Sequence, residues 1–365
     1  MKKSKVRKIG ILTAGGDCPG LNCVIRVIVK AAINEYGIEV IGFKDGYDGL
    51  VNNEFITMRS RDVSGILNLG GTILGTSNTA NPYRYPMVQG KKLTLLNKSK
   101  DAIANYHKNG LDCLVAIGGD GTLSIASKLI KDGLNVVGCP KTIDNDLSGT
   151  DFTFGFESAV VTATEAIDKL HSTAESHHRV MIVEVMGRYA GWIALYSGLA
   201  GGGDIILIPE IPYDIKKIAK KLEERHKVGK RFSIIVIAEG AKPKGGTMTV
   251  SKIVEASTDQ IRLGGVGAVL AGAVESMTGI ETRATILGHL QRGGSPTPYD
   301  RILATRYGYE SLKLAVTGKF GRMSAMQHGR VTNIPISKAI GKLKTVPCDY
   351  PFIEMARSIG TSFGN

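Results

Sequence analysis

The sequence predicts an α/β protein built on two doubly wound, largely parallel sheets. Three observations carry that prediction. Short β-rich runs alternate with helix-period segments along the chain, the pattern of repeated βα units. The runs are continuous apolar stretches such as LVAI and SIIVIA, as expected of strands covered on both faces. And 365 residues are enough for two cores.

The elements follow in order. KIGILT leads into the glycine cluster AGGDCPGLN and a helix through VIRVIVKAAINEY. LDCLVAI leads into GGDGT and a helix through LSIASKLIKDG, and LNVVG runs into CPKTIDNDL. A seam falls near 150–156, where FGFESAVVTATEAIDKLHS begins a helix whose Val160, Ala163, Ile167 and Leu170 keep helical spacing. RVMIVEV leads into MGRYAG, GGDIILI into PEIPYD and a lysine-rich helix, and FSIIVIA into EGAKPKGG. TRATILG leads into HLQRGGSP and a helix through RILATRYGYESLKLA. Residues 70–100 read as a long polar connection, and AGGGD and KPKGGTM as loops.

Composition narrows the partners. Hydrophobic residues make up 43%, which excludes wholesale disorder. No apolar run reaches the roughly 18 residues of a membrane span. The basic start MKKSKVRK is followed by an apolar run that breaks at Gly15-Gly16, too short for a signal peptide. Cys18, Cys23, Cys113, Cys139 and Cys348 form no CxxC pair, so reduced thiols in the cytoplasm are expected, with neither a disulfide framework nor zinc. The net charge of +13 suits nucleic acid, an anionic membrane or anionic small substrates. No aromatic interleaving accompanies the lysines, which argues against nucleic acid. Most of this charge reads as solvated surface.

In open α/β sheets ligands bind beyond the carboxyl ends of the strands. Here those ends repeatedly carry glycine, carboxylate or arginine. In AIGGDGT, glycines let phosphate oxygens approach the backbone, the following helix N-terminus favours negative charge, and Asp120 can hold Mg²⁺. The bland reading is a tight turn with Asp120 as a cap. In KTIDND, Asp144 and Asp146 point the same way if the segment is extended, placing a general base beside a second carboxylate. The competing reading is an Asx-rich turn. Arg179, Arg188, Arg283 and Arg292 follow or terminate strands of the same wall, and arginine's planar fork suits phosphate.

Through GILTAGGDCPGLN, GGTILGT, IGGDGT, KTIDNDL, SHHRVMIVEVMGRYAGWIAL, AEG and TRATILGHLQRGGSPTPYDR the chain resembles the 6-phosphofructokinases over nearly its whole length. The resemblance implies an active site in the cleft between two domains. The phosphoryl-donor domain comprises 1–155 plus about 291–340, and the fructose 6-phosphate domain 156–290 plus about 341–365. It implies Gly15, Gly16, Tyr47, Gly119, Gly121 and Thr122 around the donor, Asp120 on Mg²⁺, and Lys141, Thr142, Asp144 and Asp146 in the catalytic loop, with Asp144 as base. Met186, Gly187, Arg188, Glu239, His289 and Arg292 match fructose 6-phosphate contacts. Arg179 and Arg283 match arginines that reach in from a neighbouring subunit, implying a homo-oligomer, dimer or tetramer. Arg26, Lys30 and Asp204 match positions around the effector site of bacterial relatives.

The donor is the open point. Gly121 matches the ATP users and leaves room for the α-phosphate, whereas Lys141 matches the pyrophosphate users. This combination resembles a mixed subgroup. ATP is the preferred donor, pyrophosphate the alternative. Lys141 is read as a point charge on the donor or transferring phosphoryl group, compensating for Asn78, where bacterial ATP enzymes carry an arginine. Ile125 stands where a small residue usually lies near the adenine, and reads better as helix packing. A lipid or dinucleotide kinase shares only GGDGT, and a catalytically dead sensor is expected to lose Asp120, Asp144 or Asp146.

Overall fold

The computed structural model describes residues 2–90, 92–257 and 259–365. Strand β1 (Lys8–Thr13) leads into helix α1 (Leu21–Ala31), and β2 (Glu39–Phe43) into α2 (Tyr47–Asn52) and β3 (Phe55–Met58). A hairpin of β4 (Tyr85–Gln89) and β5 (Lys92–Leu96) precedes α3 (Ser99–Lys108). Then come β6 (Cys113–Gly118), α4 (Asp120–Lys131), β7 (Val136–Pro140) and the long α5 (Phe156–His177). The next run is β8 (Val180–Val185), α6 (Trp192–Ala200), β9 (Ile205–Leu207), α7 (Ile215–Lys227) and β10 (Ser233–Ala238). It continues through the hairpin β11 (Val250–Ile253) and β12 (Ile261–Leu263), α8 (Val266–Thr278) and β13 (Thr282–Ile286). The chain closes with α9 (Pro298–Val316), β14 (Arg322–Gln327), β15 (Arg330–Pro335), α10 (Ile336–Ala339) and α11 (Pro351–Ser358).

Two large sheets result. The first runs β15-β14-β7-β6-β1-β2-β3 and the second β13-β8-β10-β9. In the first, β2, β1, β6, β7 and β14 are parallel, and β3 and β15 cap the two edges in the antiparallel sense. The second is parallel throughout. Every residue of β6, β7, β8 and β10 is buried. That is why these strands read as largely apolar runs, with Glu184 in β8 and Ser233 in β10 as polar exceptions: helices cover both faces, and each fully buried Ile, Leu or Val contributes roughly 1.5–3 kcal/mol. Buried residues of both sheets, among them Ile11 and Val115 from the first and Val183 and Val236 from the second, belong to one continuous apolar cluster. Ala163 and Ile167 place the buried stripe of α5 in the same cluster.

The segment 70–100 corrects the sequence reading. Within it lie the 3₁₀ turn Pro82–Arg84 and the β4–β5 hairpin, with Tyr85 opposite Leu96 and Gln89 opposite Lys92. Lys91 lies outside the described residues. The β5 strand gives little sequence signal because Leu93, Leu95 and Leu96 stay 38%, 36% and 37% exposed, so no buried face imposes a period on it, while Tyr85 and Met87 of β4 pack on an apolar cluster. The β11–β12 hairpin is likewise largely exposed. All five cysteines are free, Cys348 alone being exposed. Among the described residues no helix is long and apolar enough to cross a membrane.

Candidate active site

The first sheet reverses its strand order at β1. From β1 the chain steps outward to β2 on one side and returns through β6 and β7 on the other. A crevice opens beyond the carboxyl ends of the strands at such a switch point. Gly15 and Gly16 follow β1, Gly119 to Thr122 follow β6, and Lys141, Thr142, Asp144 and Asp146 follow β7. They line one cavity of about 630 Å³ together with Tyr47 and Arg84. A second cavity, of about 430 Å³, lies beyond the ends of β8, β10 and β13 and is lined by Met186, Glu239 and His289. Gly16, Asn78, Arg188 and Arg292 line both, so the two chambers share a wall.

At the β1 end, side chains crowd the two glycines. A Cβ on Gly16 would lie 2.6 Å from Nη1 of Arg292, so the glycine makes the space that the guanidinium fills. Arg292 then donates to the Asp17 carbonyl at 3.0 Å. Gly15 adopts φ +80°, a conformation open to glycine, and its missing Cβ faces Lys141 Nζ and Thr122 Oγ1. Tyr47 is buried, and its hydroxyl donates to the Thr122 carbonyl at 2.8 Å. Ile125 both packs in the apolar cluster behind α4 and lines the cavity. Asp120 opens α4, and its Oδ1 accepts from the Gly341 N–H at 2.8 Å.

KTIDND is a turn rather than an extended segment. Asn145 takes φ +51°, and the Asp144 N–H donates to Thr142 Oγ1 at 3.1 Å. Asp144 and Asp146 nevertheless both face the large cavity. The turn, braced by the Thr142 hydroxyl, and not strand alternation, brings them together. Asp144 is buried, and its Oδ1 has no hydrogen-bond partner among the described residues. Burial and the charge of Asp144 push the Asp146 carboxyl well above the ordinary carboxylate range. Lys141 is 4% exposed and donates to the Gly16 carbonyl. Burial pushes its ammonium down to about 8.

On the other side, the β8 end carries Met186, Gly187 and Arg188. Arg188 takes φ +50°, its N–H donates to Glu239 Oε1 at 3.1 Å, and its guanidinium pairs with Asp259 at 2.5 Å. Burial, with the charge of Asp144, pushes Glu239 up to about 7. Gly187 sits in the turn without lining either cavity. Arg179 and Arg283 correct the sequence reading. They lie at the amino ends of β8 and β13, not at the carboxyl ends, and share Glu281 at 2.6 Å each, outside both cavities. Asp204 is held by Arg225 at 2.8 Å and by the Ile234 N–H at 2.9 Å.

Several lining residues escaped sequence reasoning. Asp259 comes from the turn of the β11–β12 hairpin, and Arg84 from the 3₁₀ turn before β4. Gly341 and Leu343 come from the segment after α10. The short apolar runs flanking EASTDQ could have signalled the hairpin; a lone glycine or leucine near the C-terminal end carries no signal.

The donor set fits a hard divalent cation held partly by its substrate. Asp120, Asp144 and Asp146 line the same cavity, and Asp144 Oδ1 has an open acceptor. Among the described residues no group of three or more His, Cys, Asp or Glu side chains forms a closed cage. Mg²⁺ is commonly held by one or two carboxylates plus substrate phosphates.

Comparison with known proteins agrees with this geometry. A family model described as phosphofructokinase matches residues 8–315. The chain is 52% identical to the ATP-dependent 6-phosphofructokinase 2 of Clostridium perfringens, covering 99% of each. It is 51% identical to the ATP-dependent 6-phosphofructokinase of Spirochaeta thermophila over the whole of both. Among solved structures, Pichia pastoris phosphofructokinase in the T-state superposes with TM-score 0.77 at 30% identity, over 93% of this chain and 36% of that one. A pyrophosphate-dependent phosphofructokinase from Marinobacter aquaeolei has TM-score 0.77 at 21% identity over 98% of this chain and 92% of that one, a likeness of fold.

Proposed function

The chain belongs to the phosphofructokinase family, and from that membership we infer its reaction. It transfers the terminal phosphoryl group of ATP to the 1-hydroxyl of D-fructose 6-phosphate, giving fructose 1,6-bisphosphate and ADP, a step of glycolysis. The observation that carries this reading is the meeting of two cavities at Gly16, Arg188 and Arg292, with the partnerless carboxylate oxygen of Asp144 buried in the larger one. Such an arrangement brings a polyphosphate and a sugar phosphate to one carboxylate.

Phosphoryl transfer asks a protein for positioning and charge more than for covalent chemistry. Asp144 accepts the proton of the 1-hydroxyl as that oxygen attacks. Lys141 adds a positive point charge at the glycine turn, beside the cavity wall where the donor phosphates lie. Thr142 braces the turn through its hydrogen bond to the Asp144 N–H. Gly119, Gly121 and Thr122, at the start of α4, offer phosphate the amide end of a helix. Arg188, Glu239, His289 and Arg292 bind the sugar phosphate, with Met186 and Gly187 shaping the strand end beneath it. Asp120 would hold Mg²⁺, with Asp146 at hand; when bound, the ion neutralises charge on the phosphate oxygens.

The proposal extends to organisation. The donor domain comprises 1–155 and about 291–340, the sugar-phosphate domain 156–290 and about 341–365. Arg179 and Arg283, outside this chain's own cavities, serve the site of a second copy in a homo-oligomer, and the enzyme works in the cytoplasm.

The test is fructose 1,6-bisphosphate formation from fructose 6-phosphate and Mg²⁺, with ATP and with pyrophosphate in parallel. Turnover with ATP is expected. Turnover with pyrophosphate alone would overturn the assignment of donor, and turnover with neither would overturn the reaction.

A further inference from the structure

Resting on that reading of the reaction, we propose that Lys344 is a positioning residue for phosphoryl transfer, its ammonium tying together the turn that carries Asp144 and Asp146. Lys344 Nζ donates to Asn145 Oδ1 at 2.9 Å, to the Thr150 carbonyl at 3.0 Å and to the Asp151 carbonyl at 2.8 Å. An ammonium has three N–H donors, so all of them are spent on this one loop. None is left for a ligand, which sets Lys344 apart from Lys141.

Without that ammonium, three acceptor oxygens would converge with no charge to offset them. Asn145 is also a non-glycine residue at φ +51°, a conformation that persists where its surroundings impose it. Lys344 supplies part of that constraint, and it does so on the residue between the two carboxylates. The backbone adds to the hold: the Lys344 N–H donates to the Asp146 carbonyl at 2.8 Å.

The lysine is itself anchored. Its Nζ sits 5.4 Å from the centroid of Trp192, and its carbonyl accepts from Trp192 Nε1 at 2.8 Å. Trp192 opens α6, beneath the second sheet. Three residues earlier, the Gly341 N–H donates to Asp120 Oδ1. One strap therefore touches the proposed metal carboxylate, the catalytic turn and the sugar-phosphate half. A shift of about 1 Å at the reacting atoms can cost on the order of 10²-fold in rate, so a tether that sets the turn acts on kcat.

The experiment compares wild-type protein with Lys344→Met, which keeps an unbranched apolar stem but removes the ammonium and its three donors. The expected result is a fall in kcat of about tenfold or more, with KM for fructose 6-phosphate and for ATP changed less than about threefold. A kcat within about twofold of wild type overturns the proposal. Asn145→Gly removes one anchor while allowing the positive φ, and carries the test if the methionine variant does not fold: its kcat should fall about fivefold or more, and a smaller effect overturns the tether. Asn145 Oδ1 also accepts from the Thr153 N–H at 3.1 Å, a bond that Lys344→Met leaves in place. Where both fold, the double variant should therefore lose clearly less than the product of the two single losses, because the two changes share the Lys344–Asn145 link; fully multiplied losses would mean that they act independently and would overturn the proposal. Wild-type protein that does not phosphorylate fructose 6-phosphate refutes the reaction itself; an active wild type with an unaffected Lys344→Met refutes only the tether.

Discussion

Lys141 is an ammonium placed where burial penalises its charge, and its role depends on keeping that charge. Its pKa is pushed down to about 8, and burial takes Lys344 down to about 8 as well. Both are cations below that value and neutral above it, so the supporting charge is lost as pH rises through about 8. The carboxylates behave in the opposite sense. Glu239 is pushed up to about 7, and Asp146 is raised by burial and by Asp144, so acid protonates groups that the proposed mechanism uses as anions. We expect kcat/KM for fructose 6-phosphate to rise with pH through about 7 and to fall above about 8, measured between pH ~5 and ~10. A bound polyanion favours the charged lysine, so the alkaline limb of kcat should lie above that of kcat/KM. A profile flat across that range would contradict these assignments. At this scale the residue identities were legible, since KTIDND and MGRYAG announce carboxylates and an arginine. The burial that sets their proton affinities was not legible, because it depends on what covers them.

The strand ends carry the site, and each is shaped by a turn that tolerates little bulk. Beyond β10, a Cβ on Gly240 would lie 1.8 Å from the Arg188 carbonyl, a backbone atom that cannot swing aside. Gly240→Ala should therefore displace the β8 turn that carries Arg188. KM for fructose 6-phosphate is expected to rise about tenfold, with a stability loss of about 1–3 kcal/mol in a thermal melt. Unchanged KM and melting would show that this turn yields without cost. The parallel strands were legible because burial on both faces leaves an apolar run. Strand β5 and the β11–β12 hairpin were not, because they lie at the surface and no core sets their alternation. The second of them brings Asp259 to Arg188, a contact between residues 71 positions apart.

Across the whole molecule, the charge of +13 and the placement of arginines and lysines around two connected cavities favour the approach of anions. Raising ionic strength from ~0.02 to ~0.2 M should lower kcat/KM for both substrates while leaving kcat nearly unchanged, since screening acts on encounter and not on contacts already made. Salt-independent kcat/KM would place that charge elsewhere than in substrate capture. The sequence by itself determined the two parallel sheets, the glycine turns, the carboxylates at their ends and the family, because each is written in contiguous residues. Tertiary structure alone decided the rest. It set Arg292 into the space left by Gly16 and sent Arg179 and Arg283 to the far ends of their strands. It also drew Lys344 across about 200 residues of chain to the turn that carries Asp144 and Asp146. Such contacts arise where hydrogen-bonding groups left open by one segment meet the donors of another, and no local pattern records that meeting.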